Sequence, residues 1–354
     1  MRPLFDIHCH GALGHEFGGS VEGNRIAAAH HRDAGTTTML ASLVSGTPDM
    51  MERSVRSLAP LVADGTVAGI HLEGPFLSHE RRGAHDPGVL TDPDPALIDR
   101  LVDVAGAPGV LRQMTFAPER PGAQVLVDAL VAHDITPAIG HTDADAATVT
   151  ATIGHVVERS GRPALVTHLF NGMPPMHHRA GGPVAAALTS AARGEALVEL
   201  IADGVHVHAE VVRMVFETVG PQAIVLVSDA MSATGLADGP YRIGELAVEV
   251  IDNVARLTEG GSIAGSTTTL SGCVDWCIEQ VGLPVHDVFE AASSTPARAV
   301  GVDAAPYPPS SGPCRTTHVR SRRGLRGDRG TTRAARRVAV AASRQREPRA
   351  VVSR

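Results

Sequence analysis

Along most of the chain, short continuous apolar runs alternate with longer segments in which Ala, Val and Leu recur among Arg, Asp and Glu at helical spacing. Such runs read as strands buried on both faces and the segments between them as amphipathic helices, so the pattern is a repeating βα unit. Eight strands are predicted: Pro3–His10, Thr36–Leu43, Val67–Glu73, Val110–Pro118, Ile135–His141, Ala164–His168, Leu197–Asp203 and Ala223–Asp229. Eight strands with helix-length connections predict an α/β fold of the (β/α)₈ TIM barrel type. A doubly wound sheet would need fewer strands and a Gly-rich first turn, and no GxGxxG follows the first strand here. The last barrel helix is expected to end at Thr295-Pro296-Ala297-Arg298-Ala299, with the barrel domain spanning residues 1–301. Beyond it come the breaker run Pro306-Tyr307-Pro308-Pro309 and an Arg-rich stretch with almost nothing apolar to bury, so residues 302–354 are expected to be a disordered basic tail.

The polar residues collect at the predicted C-terminal strand ends, which converge on one mouth in a barrel. His8 and His10 end the first strand, Glu73 the third, His141 the fifth and His168 the sixth; His206 lies just past the seventh, and Asp229 ends the eighth. The HxH spacing directs two imidazoles to one face of a strand, as a metal site requires, although a hydrogen-bonded pair of core histidines has the same spacing. Glu73, His141 and His168 add a carboxylate and two nitrogens, a borderline set that suits Zn²⁺ or Fe²⁺ and leaves a position open for water. Asp229 supplies the carboxylate that a hydrolytic metal site needs for proton transfer; a strand-end aspartate can also simply satisfy backbone amides. His30, His31, His79, His133 and His177 are expected on the surface without a role.

Composition narrows the chemistry. The chain has 354 residues, 43% hydrophobic and 19% charged, with no run of the ~18 apolar residues that a membrane span needs, no secretory h-region and only four scattered cysteines. A cytoplasmic protein is expected. All 31 Lys+Arg residues are arginine, which excludes Schiff-base lysines, P-loop lysines and carbamylated-lysine metal bridges. The net charge of −7 averages two unlike parts: residues 302–354 hold 13 Arg against three acids, or +10, and the rest 18 Arg against 35 acids, or −17.

The stretches His71-Leu72-Glu73-Gly74-Pro75-Phe76, Gly83-Ala84-His85-Asp86-Pro87, Ile139-Gly140-His141-Thr142 and Thr167-His168-Leu169-Phe170-Asn171-Gly172-Met173 resemble the N-acetylglucosamine-6-phosphate deacetylases of the amidohydrolase superfamily. So do Ala202-Asp203-Gly204-Val205-His206, Ser228-Asp229-Ala230 and Ala264-Gly265-Ser266, and the likeness runs in order from about residue 4 to residue 301. HLEGPF and THLFN are specific to that family. The resemblance implies a metal-dependent hydrolase that converts N-acetyl-D-glucosamine 6-phosphate to D-glucosamine 6-phosphate and acetate, in amino-sugar catabolism and cell-wall recycling. It implies that Glu73, His141 and His168 are metal ligands, that Asp229 is the catalytic acid/base and that His85 polarises the amide carbonyl. It also implies that Asn171, Gly172, Arg179 and His206 hold the sugar phosphate. For Arg179 a guanidinium in the His168 loop fits that task, though an ordinary surface arginine fits the spacing too. Some members lack the HxH histidines and use one metal; His8 and His10 are kept here, so one or two divalent ions, Zn²⁺ or Fe²⁺, are expected.

Two departures from the family are expected. Its members usually carry a segment before the HxH strand and a PGxDADLV-like C-terminal strand that together form a small β-sandwich, which is predicted to be missing or incomplete here. The tail reads as a frameshifted stretch of a GC-rich gene, since misread GC-rich codons give Arg, Ala, Gly and Pro without lysine. A nucleic-acid-binding tail competes with that reading, but Tyr307 is its one aromatic residue. The partners expected are therefore a small sugar phosphate, no nucleic acid and no membrane, with a homodimer covering the barrel surface left bare. The alternative outcome is a folded but inactive or unstable barrel from a truncated or frameshifted gene.

Overall fold

The computed structural model describes residues 3–302. Its centre is one parallel sheet whose strands stand side by side in chain order: β1 (Leu4–Asp6), β2 (Thr36–Leu43), β3 (Gly69–Glu73), β4 (Leu111–Phe116), β5 (Thr136–Ile139), β6 (Ala164–Val166), β7 (Ala196–Ile201) and β8 (Ile224–Val227). The sheet closes just past the ends of β8 and β1, where the Asp229 amide donates to His8 O at 2.9 Å, the His10 amide donates to Ala230 O at 2.8 Å, and Cys9 bridges Ala230 in parallel. The fold is a (β/α)₈ barrel, and all eight predicted strands are present.

Helices α1 (Val21–Asp33), α2 (Pro48–Ala63), α3 (Pro95–Ala105), α4 (Ala123–Ala132), α5 (Ala146–Ser160), α6 (Gly182–Ala192) and α7 (Ala209–Val219) supply the connections. Several start on side-chain caps that satisfy an otherwise orphaned amide: Ser20 on Gly23, Thr47 on Met50, Asp94 on Ala96 and Asp145 on Thr148. A last helical run begins with α8 (Leu270–Trp276), continues through α9 (Val285–Phe289) and ends with α10 (Thr295–Ala299), as predicted.

Two apolar clusters hold the barrel together. The larger packs helix stripes such as Val55, Leu58 and Leu61 of α2 against the outer strand faces, including Met39, Ile70, Leu72 and Met114. The smaller fills the lumen with Phe5, Leu40, Ala138, Leu165, Leu197, Ile201, Val225 and Val227, and is plugged by Ala297, Ala299, Val300 and Val302.

Several expectations need correction. β2 spans the predicted Thr36–Leu43 and β3 ends at Glu73 as predicted, but other strands are shorter, because the backbone leaves the ladder before the polar residues that were expected to end them: β5, β6 and β8 stop two residues ahead of His141, His168 and Asp229. His31 is not a surface residue; it is buried against β1's continuation, sharing its Nε2 between Cys9 Sγ at 3.1 Å and Gly11 O at 3.0 Å, and burial lowers its pKa to about 4. A three-stranded antiparallel sheet was also not predicted: β9 (Gly239–Ile243), β10 (Leu246–Ile251) and β11 (Val254–Leu257). The two-residue turn between β10 and β11 is Asp252-Asn253, both at positive φ as a type I′ hairpin demands. This sheet buries Ile243, Val248 and Val250 over Met231 and Ala264, with Val44 and Ala84 packed against them, and so sits on the barrel mouth. All but Val302 of the predicted basic tail lies outside the described residues. Among the described residues no helix is long and apolar enough to cross a membrane.

Candidate metal centre and active site

Three of the polar strand-end residues share an unusual backbone. His141, His168 and Asp229 have φ of 47°, 26° and 51°, a region non-glycine residues seldom enter and one that concentrates at functional sites. Each lies two residues past its strand, so the left-handed turn swings the side chain over the lumen. Glu73 is the last residue of β3, and His8 and His10 follow β1.

Six side chains meet there as two triads, His8/His10/Asp229 and Glu73/His141/His168, with the ligating atoms of each triad within 4.8 Å of one another. Glu73 joins them. Its Oε1 is 3.1 Å from His141 Nε2, 3.0 Å from His168 Nε2 and 3.5 Å from His8 Nε2, while Oε2 is 3.1 Å from His10 Nε2. Asp229 Oδ1 stands 3.3 Å from His10 Nε2 and 3.5 Å from His8 Nε2.

This crowding decides whether a metal fits. His141 Nδ1 lies 2.7 Å from Arg81 O, which can only accept, so Nδ1 carries the hydrogen and Nε2 is a lone pair. That lone pair faces a carboxylate oxygen at 3.1 Å and another imidazole nitrogen, His168 Nε2, at 3.0 Å. Lone pairs so close repel unless a positive charge lies among them. The imidazole and carboxylate donors are those that hold Zn²⁺ or Fe²⁺. Protons are the alternative positive charge. Desolvation lowers the basicity of His10, but hydrogen bonds to Asp229 and Glu73 outweigh it and raise its pKa to about 9. Burial would likewise raise both carboxyls, yet the surrounding rings hold Glu73 and Asp229 well below the ordinary carboxylate range.

His85 is neutral and oriented. Its Nδ1 accepts from the Ser45 amide at 3.2 Å, so Nε2 bears the hydrogen, 3.4 Å from Glu73 Oε2; burial lowers its pKa to about 4. A neutral imidazole presenting N–H at the mouth is a donor for a carbonyl oxygen.

A cavity of about 360 Å³, ordinary for a small ligand, opens above the triads. His10, Glu73, His85, His141, His168, Asn171, Gly172, His206 and Asp229 line it, together with Arg81, Val44, Met173 and Ile243. Gly172, at φ 60°, is also required by packing: a Cβ there would come within 2.9 Å of His141 Nδ1. Arg179 is not among the lining residues. It is exposed in the tight turn from His177 to Ala180, whose backbones pair with each other.

The structure adds residues that were not predicted. Asp203 Oδ2 accepts from His206 Nδ1 at 2.8 Å and from Ser266 Oγ at 2.9 Å, which aims His206 Nε2 at the cavity. Glu199, fully buried on β7, touches His8 and the His168 backbone. His71 lies beneath His8, bridging Ser42 and Thr115, and burial holds it far below its usual pKa. Alternation in Gly-Ile-His-Leu-Glu marked His71 as facing the same way as Glu73; nothing local marked Glu199.

No family model matches the chain. Among curated proteins, the N-acetylglucosamine-6-phosphate deacetylase of Mus musculus is 31% identical over 315 residues, covering 86% of this chain and 75% of its own length. That of Vibrio furnissii is 30% identical over 308 residues, 85% and 74%. Among solved structures, N-acetyl-D-glucosamine-6-phosphate deacetylase of Mycobacterium smegmatis superposes with a TM-score of 0.79 at 39% identity, covering 86% of this chain and 79% of that one. A variant of it was solved in complex with N-acetyl-D-glucosamine-6-phosphate. The Thermotoga maritima enzyme gives 0.75 at 30% identity, covering 85% and 78%. With relatives 30–31% identical over 85–86% of this chain and about three-quarters of their own length, and solved structures that share its barrel, the chain belongs to the N-acetylglucosamine-6-phosphate deacetylase family.

Proposed function

We propose that this chain hydrolyses N-acetyl-D-glucosamine 6-phosphate to D-glucosamine 6-phosphate and acetate. The observation that carries this reading is the pair of triads joined by Glu73, with Asp229 and His85 on the same cavity wall. Glu73, His141 and His168 would hold one divalent cation, and His8, His10 and Asp229 would hold a second; Zn²⁺ and Fe²⁺ both suit these donors. A cation there supplies Lewis acidity toward the amide carbonyl and the attacking water.

The remaining chemistry falls to the protein. Asp229, held ionised by His10 and His8, takes a proton from the attacking water and returns it to the departing amine. His85 donates its Nε2 hydrogen to the carbonyl oxygen as negative charge develops there. Asn171, Gly172 and His206 face the substrate from the cavity wall, and the exposed Arg179, outside that wall on the turn after His177, would meet the phosphate only where the sugar's far end leaves the cavity. The chain is further proposed to work as a cytoplasmic homodimer, for which a monomeric mass in light scattering would be the refutation.

The test is acetate release by the purified chain loaded with Zn²⁺ or with Fe²⁺, using the 6-phosphate and the unphosphorylated sugar as substrates. Turnover of the phosphorylated sugar is expected. Absence of acetate from a folded, metal-loaded protein would refute the reading.

A further inference from the structure

The barrel lumen holds one carboxylate in a place where a carboxylate is costly. Leu197, Glu199 and Ile201 alternate along β7, so Glu199 points the same way as two residues of the lumen cluster, and it has no exposed surface. An ionised carboxyl there is tolerated only if donors surround it. Three do: Gln113 Nε2 donates to Oε1 at 2.7 Å, and Oε2 accepts from His8 Nδ1 at 2.9 Å and from the His168 amide at 3.2 Å.

The last two partners matter most, because they belong to different triads. With its Nδ1–H given to Glu199, His8 turns Nε2, the atom that would serve a cation, toward His10 Nε2 at 3.1 Å and Glu73 and Asp229 at 3.5 Å. His168 needs other help. Its own Nδ1 is buried without a hydrogen-bond partner among the described residues, so nothing polar orients the ring from behind, and its backbone sits at φ 26°. The Glu199 carboxylate holds that backbone by its amide.

We propose that Glu199 is a positioning residue that couples the two triads, presenting His8 Nε2 to one and fixing the His168 backbone for the other. Its partners in this role are the ring of one ligand and the main chain of another, so a single side chain sets the spacing between them. Outer contacts of this kind are worth about 10–100-fold in metal affinity. Glu199 can act in this way only if the triads hold a cation, as the proposed function requires.

The experiment is Zn²⁺ titration of the metal-free full-length chain, without substrate, for wild type, Glu199→Leu, Glu199→Gln and Leu197→Ala. Glu199→Leu is expected to bind Zn²⁺ about 10–100-fold more weakly. Glu199→Gln keeps an acceptor oxygen for His8 and His168 and is expected to recover most of that loss. Leu197→Ala damages the same lumen layer without touching a ligand, and should lower Tm while leaving Zn²⁺ affinity unchanged. Wild-type affinity in Glu199→Leu, or an equal loss in Leu197→Ala, would overturn the assignment. Should Glu199→Leu fail to fold, ¹⁵N spectra of the Zn²⁺-loaded wild type decide: His8 protonated at Nδ1 supports the role and His8 protonated at Nε2 overturns it. A wild type that binds no Zn²⁺ overturns both the positioning role and the metal centre, whereas intact Zn²⁺ binding without acetate release counts against the deacetylase reading alone.

Discussion

Replacing Asp203 by Asn removes a charge from beside His206 while keeping the shape of the side chain. The carboxylate and the ring are 2.8 Å apart, with 2% and 5% of their side-chain surfaces exposed, so water screens the pair little. Burial by itself lowers the pKa of His206; the Asp203 hydrogen bond and charge outweigh it, with Asp229 adding to them, and the ring titrates above 6.5. A charge-assisted hydrogen bond contributes about 1.5–3 kcal/mol, and a pKa unit corresponds to about 1.4 kcal/mol. Asp203→Asn should therefore lower the His206 pKa and let burial dominate. The fold should survive, because the amide oxygen can still accept from the Val205 and His206 backbone amides, now at 2.9 and 2.8 Å.

The pH dependence follows from the two directions of shift. His206 is raised, so its share of stability is fully present below 6.5 and is lost as pH rises through the folded value. Asp203 is lowered from 3.8, so its share is present above 3.8 and is lost as pH falls through its folded value. The pair contributes in full between 3.8 and 6.5, and the variant should lose stability most in that window. NMR titration of the His206 imidazole in wild type and variant is the direct assay. A rise in KM for the 6-phosphate at neutral pH should accompany the shift, because a neutral imidazole attracts phosphate less. An unchanged or higher His206 pKa in Asp203→Asn would refute the reasoning.

Glu73→Gln should bind metal far below stoichiometry in elemental analysis, since its carboxylate faces ligand nitrogens of both triads; full retention would remove it from the ligand set. Asp229→Asn should lose about 10²–10⁴-fold in kcat while retaining metal at the Glu73/His141/His168 triad; a smaller loss would assign the proton transfer elsewhere. Arg179→Ala should reduce kcat/KM for the phosphorylated sugar roughly ten- to hundredfold and leave the unphosphorylated sugar little affected, whereas equal losses on both would place Arg179 outside the phosphate site.

What the sequence determined by itself was the barrel and the membership of its mouth. Strand runs such as Thr36–Leu43 and Ala223–Asp229 are apolar because both faces are buried, a property of local composition that needs no knowledge of neighbours. Glu73, His141, His168 and Asp229 were legible for the same reason: polar residues at the ends of apolar runs have few places to go except the rim. The antiparallel sheet was legible in principle, through Asp252-Asn253 between alternating runs, but its half-buried strands gave a weaker signal than the barrel's.

Tertiary structure decided which polar residues act together. Glu199 lies in a run, Ala-Leu-Val-Glu-Leu-Ile, that says only strand; its role comes from His8 and His168, brought beside it by strands distant in the chain. His31 and His71 became buried for the same kind of reason, one between α1 and the chain after β1, the other beneath His8. Arg179 shows the converse. Its place in the loop after His168 set it near the far end of a bound sugar, but only the fold shows that the turn from His177 to Ala180 folds back on itself and leaves it exposed, outside the residues that line the cavity. Periodicity and residue type follow from each side chain's own transfer free energy and are carried in the chain locally. Hydrogen-bond partners, tautomers and shifted pKa values depend on atoms within a few ångströms that closure of the barrel alone brings together.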